Sequence, residues 1–118
     1  MPQKEQTLEQ KRAEHALKIV RGLIEQPHGK FRSHADSLPA AIVMNGLGQA
    51  MAFELSKKEE DHKALYGAVQ SWLCETVYTG EKNLMDAIVN YGQDHYVRAQ
   101  AEALAYLEWL KKFSRAYL

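Results

Sequence analysis

The chain has 118 residues and a mass of 13.4 kDa, with 46% hydrophobic and 25% charged residues. This length is the usual size of one domain, and the balance excludes both a disordered and a membrane-embedded chain. The 15 Lys and Arg cancel the 15 Asp and Glu, giving a formal net charge of zero, so any basic surface has to be local.

The first helix is predicted from about Lys4 to Gln26, with Thr7 and Gln10 spaced as a capping box. Ala13, Ala16, Leu17, Val20, Leu23 and Ile24 form its apolar stripe. Pro27 ends it, because the residue before a proline avoids helical geometry. Residues 28–38 then read as a polar connection with a helical turn around Phe31 to Asp36. Pro39 suits the first turn of a second helix reaching about Leu55, with Ile42, Val43, Leu47, Met51 and Leu55 apolar.

A helix from Glu60 to Tyr78 follows, with Leu65, Ala68, Val69, Trp72, Leu73 and Thr76 on its buried face. Thr79-Gly80 breaks the chain, a short helix covers Lys82 to Tyr91, and Gly92 stops it. The last helix runs from Asp94 to Tyr117 and is apolar on most sides, which places it at the centre of the fold or of an interface. No strand signal and no internal repeat occurs. The expected architecture is all-α, a single helical domain over residues 1–118 built as a bundle of five to six helices.

The first residues, MPQKEQTLEQKRAEHAL, are charged and unlike a signal peptide. No apolar run approaches the roughly 18–20 residues of a membrane span. A cytoplasmic protein with no membrane partner is expected. Cys74 is the single cysteine, which excludes an internal disulfide framework and a multi-thiolate metal site.

Candidate chemistry is sparse. Glu59-Glu60-Asp61-His62 holds one Glu-x-x-His pair, whereas a di-iron bundle needs two such pairs and two further glutamates. The run reads more simply as an acidic helix start. Asp94 beside His95 reads as a helix cap after Gly92, and no nucleophile stands nearby in sequence. Asn45-Gly46-Leu47-Gly48-Gln49 follows a helical run, not a strand, and completes no phosphate-loop pattern. Its glycines imply either close helix approach or, alternatively, a docking surface or a backbone kink. No catalytic set, metal site or cofactor is expected.

The zero net charge hides an asymmetry: residues 1–34 carry +3, residues 35–91 carry −4 and residues 92–118 carry +1. One reading is a basic face made by the first helix, the 28–34 stretch and the C-terminal turns, able to meet a phosphate backbone. The other is a solvated surface whose C-terminal cations complement a helix dipole.

Three segments in order, LPAAIVMNGLGQAMAF (38–53), LMDAIVNYG (84–92) and AQAEALAYLEWLKKFSRAYL (99–118), resemble the small helical subunit of the Cmr complex, the type III-B CRISPR RAMP-module effector. An amphipathic first helix with Lys11, Arg12 and Ala13 agrees, while Lys111-Lys112 places a Lys where Arg is more usual in the family. The resemblance implies a non-catalytic subunit in antiviral defence. It implies several stacked copies beside the RAMP backbone subunit and the large polymerase-like subunit, lining the groove where crRNA pairs with target RNA. On that reading Lys18, Arg21, Lys30, Arg32, Lys111, Lys112 and Arg115 are the candidate RNA-binding residues. The alternative is a helical spacer or adaptor that contacts only protein.

Overall fold

The computed structural model describes residues 5–118 and contains six helices. These are α1 (Leu8–Leu23), α2 (Phe31–Asn45), α3 (Leu47–Ser56), α4 (Glu60–Thr76), α5 (Leu84–Asn90) and α6 (Gln93–Tyr117). No strand occurs among the described residues, so the all-α expectation holds. The expected start at Lys4 lies outside the described residues. Thr7 is the cap: its hydroxyl accepts from Gln10 N–H at 3.1 Å, and its own N–H donates to Gln10 Oε1 at 2.8 Å.

The region from 28 to 55 departs from expectation. Helix begins at Phe31, so most of the supposed polar connection belongs to α2, and Pro39 sits inside that helix. The reason is burial. Phe31, Ala35, Leu38 and Ile42 recur at helical spacing and are all buried. Fully burying side chains of the Leu, Ile or Phe kind contributes about 1.5–3 kcal/mol each, comparable with the ~3 kcal/mol cost of an internal proline. The expected helix from Pro39 to Leu55 is instead broken at Gly46, whose φ of 88° and ψ of 157° are a backbone state essentially limited to glycine.

Asp94 is likewise not a cap. Gly92 takes that position and Asp94 lies in the first turn of α6, where a carboxylate still favours the helix dipole.

Side-chain pairings between helices fix their directions. Arg12 meets Glu102 and His15 meets Tyr106, so α1 and α6 run in the same direction. Leu47 and Gly48 meet Gln100 and Tyr96, whereas Asp36 meets Arg115, so α2 runs opposite to α6. Thr76 and Val77 line a hollow with Leu8 and Arg98, while Asp61 at the other end of α4 reaches Lys30. Helix α4 is therefore antiparallel to both α1 and α6. One continuous core results, with Ala99, Ala103, Tyr106, Leu107 and Leu110 of α6 against buried residues of the other helices.

Candidate nucleic-acid interface

The helix directions decide where the candidate cations lie. Arg21 is in the last turn of α1, and Lys30 caps α2 with Arg32 in its first turn. Lys30 N–H donates to Asp61 Oδ2 at 2.7 Å, which ties this connection to the start of α4. Gly29 makes the approach possible, because a Cβ there would stand 2.9 Å from the same oxygen. Arg115, near the end of α6, donates to Asp36 Oδ1 at 3.1 Å. Arg21, Lys30, Arg32 and Arg115 thus share one end of the bundle.

Lys111 and Lys112 lie about one turn before Arg115 on α6. Lys18 stands one turn before Arg21 on α1. It lines a groove of about 490 Å³ between α1 and α4, with Lys11, Glu14, His15, Trp72 and Glu75.

These residues differ in electrostatic state. Lys111 and Lys112 both lean on Glu108, at 3.3 and 3.6 Å, and Arg115 pairs with Asp36. The hydrogen bond from Lys111 is the main reason the Glu108 carboxyl is held below its ordinary value. Among the described residues, no carboxylate stands within 4.0 Å of the side-chain nitrogens of Lys18, Arg21, Lys30 or Arg32, and all four are exposed. Their charges remain available to an external anion. Exposed pairs such as Arg115–Asp36 are worth only ~0–1 kcal/mol and exchange readily for a phosphate.

Sequence reasoning missed two more cations at this end. Lys57 closes α3 and Lys58 follows it, immediately before α4 begins. The −4 total of residues 35–91 concealed them. The end is mixed in sign, since Glu59, Glu60 and Asp61 are there too.

Buried polar chemistry elsewhere serves packing. Glu102 accepts from Arg12 Nε at 2.6 Å, from Arg12 Nη2 at 2.8 Å and from Trp72 Nε1 at 2.9 Å. Burial alone would raise the Glu102 carboxyl, but these bonds outweigh it and hold the group below its ordinary value. His15 is fixed between Tyr106 Oη at 2.7 Å and Ser71 Oγ at 3.0 Å. Burial lowers its pKa, so a neutral ring donates through one nitrogen and accepts through the other.

The Glu59–His62 run is the start of α4, with Glu60 and Asp61 in its first turn, and His62 pairs with Glu54 of α3 at 2.8 Å. Cys74 is half-buried, and burial raises its thiol pKa. No cluster of three or more metal-ligating side chains occurs among the described residues, and no described helix is long and apolar enough to cross a membrane.

Comparison with known proteins agrees with this architecture. The family described as CRISPR-associated protein (Cas_Cmr5) matches residues 8–117. The CRISPR system Cmr subunit Cmr5 of Thermus thermophilus is 31% identical over 118 residues, covering 100% of this chain and 98% of the relative. The crystal structure of a CRISPR-associated Cmr5 family protein from the same organism superposes with a TM-score of 0.84 at 31% identity, covering 97% of this chain and 99% of the other. Match length, identity and fold agree: the chain belongs to the Cmr5 family of CRISPR-associated proteins.

Proposed function

We propose that this Cmr5-family chain is a non-catalytic subunit of a type III-B CRISPR effector, and that its basic end faces the phosphate backbone of guide and target RNA. The observation that carries this reading is the convergence of Arg21, Lys30 and Arg32, exposed and without a carboxylate partner among the described residues, at the end where α6 also brings Arg115. Pairing between guide and target reads the sequence, so the subunit has only to neutralise phosphates and hold geometry.

Lys111, Lys112 and Arg115 contribute by exchanging Glu108 and Asp36 for phosphate. Lys18 extends the surface one turn back along α1. Further copies of the chain, the RAMP backbone subunit and the large polymerase-like subunit are the protein partners on this reading. A neutral chain binds RNA weakly on its own, and several copies in a row multiply such contacts.

The spacer reading, with protein contacts only, also has an observation in its favour. Val43, Met44, Val89 and Val97 are 68%, 81%, 76% and 59% exposed. They lie on α2, α5 and α6 towards the end opposite Lys30 and Arg115. Apolar side chains this exposed suit contact with protein. Crosslinking in the assembled effector separates the two readings. RNA adducts on residues 18–32 and 111–115 support the RNA-facing surface, whereas adducts to protein alone at both ends support the spacer.

A further inference from the structure

One group of buried titratable side chains lies beneath the exposed cations of the basic end. His62 on α4 and Glu54 on α3 are 9% and 5% exposed, and His62 Nδ1–H donates to Glu54 Oε1 at 2.8 Å. The face of His62 is covered by His34 of α2, with ring centroids 3.7 Å apart and planes 22° from parallel. The Phe53 ring of α3 meets His62 edge to face, with centroids 6.3 Å apart and planes at 85°. Three helices therefore meet on one imidazole. The stack adds to the other anchors of this segment, the buried Phe31 and Ala35 on either side of His34 and the Lys30 N–H bond to Asp61 Oδ2 at 2.7 Å.

From this geometry we propose that the His34–His62 stack is a pH-sensitive latch: it holds the start of α2 and the 28–30 connection on α4, and it releases when both rings are protonated.

A single proton is accommodated. Placed on His62, it forms a buried ion pair with Glu54. A second proton on His34 sets two cations face to face at stacking distance, with Glu54 the buried carboxylate beside them. The other charged groups facing the cluster nearly cancel. Asp61 and Glu59 come from the start of α4, Lys30 from the α2 cap, and Lys57 from the end of α3, where it sits over the Phe53 ring at 4.7 Å. Burial and the neighbouring His62 both disfavour the charged form of His34, in agreement with the geometry. Release frees Lys30 and Arg32, the first residues of the latched segment, although the latch itself does not depend on any role in RNA binding.

The test is hydrogen exchange of the full chain between about pH 7 and pH 5, the window of histidine titration, with protection factors corrected for intrinsic rates. Wild-type amides of residues 31–38 should lose several-fold more protection than those of α6. In His34→Phe, which keeps a stacking ring and removes the proton, that differential loss should vanish. Equal loss in both proteins, or no loss in the wild type, overturns the proposal. If His34→Phe does not fold, ring-carbon NMR titration of the wild type decides instead. Coupled titration of the two rings supports the latch, and independent titration overturns it.

Discussion

Glu102 of α6 and Arg12 of α1 form a two-toothed ion pair at 2.6 and 2.8 Å, across 90 residues of sequence. The side chains retain 11% and 15% of their exposure, and the carboxylate is also the partner of the Trp72 indole. This pair sets the register between the two helices that run in the same direction. Removing one partner leaves the other charge poorly solvated, which is where such pairs become costly.

Glu102→Ala should therefore destabilise the chain by about 2–3 kcal/mol in urea unfolding at neutral pH. Glu102→Gln should cost less, because an amide oxygen still accepts a bond. The sign of the pH effect follows from the lowered pKa of Glu102. Its contribution is present above the ordinary carboxylate value and is lost as pH falls through the lower folded value. The wild type should accordingly lose more stability than Glu102→Ala on acidification below about pH 4.3.

Two glycines should respond with opposite sign to alanine. At Gly46 the backbone has φ 88°, and a Cβ would stand 3.0 Å from Tyr96 Oη, the group that accepts the Gly48 N–H at 2.9 Å. Gly46→Ala should cost about 1–3 kcal/mol. Gly22, in the last turn of α1, has nothing within 4 Å of a built Cβ. Gly22→Ala should stabilise by about 0.4–1 kcal/mol. Thermal unfolding of the two variants beside wild type checks both signs.

The same positions show what could be read in the sequence. Thr7 and Gln10, the α4 face from Leu65 to Leu73 and the length of α6 were legible because caps and helical periodicity act within a few residues. The start of α2 was obscured by a local rule, the penalty attached to Pro39, which the buried stripe of Phe31, Ala35, Leu38 and Ile42 overrides. That stripe was a usable signal. No comparable signal existed for Arg12–Glu102, His15–Tyr106 or Asp36–Arg115, since partners 79–91 residues apart are paired only by tertiary packing. The cation groups were visible as charges in the sequence, but their collection at one end followed from helix directions.

His15 offers a second acid-sensitive position, distinct from His34. Its folded pKa is lowered by burial between Tyr106 and Ser71. A depressed histidine contributes no penalty at high pH, and stability falls as pH drops below the ordinary histidine value of about 6.5. His15→Gln should be about 1–2 kcal/mol less stable near pH 7.5, having lost the Tyr106 bond. It should then show a shallower decline towards pH 5. Parallel declines in the two proteins would contradict the assignment.

The ion pairs divide the candidate RNA-binding cations into two classes with different salt behaviour. Among the described residues Lys30 and Arg32 have no carboxylate to leave, so each phosphate they meet displaces only counterions from RNA. Charge neutralisation of both, as Lys30→Gln with Arg32→Gln, should lower the salt slope of target-RNA binding by the assembled effector. The decrease should be about 0.7–0.9 for each phosphate no longer neutralised, in every copy. Lys111, Lys112 and Arg115 must first give up Glu108 or Asp36. Removing the carboxylates with Glu108→Gln and Asp36→Asn should therefore strengthen RNA binding while Lys30 and Arg32 are intact. A purely protein-contacting subunit predicts no change of slope in the first pair and no gain in the second. Filter-binding titrations at several salt concentrations measure both, and an unchanged slope together with unchanged affinity would assign this end of the bundle to protein contacts.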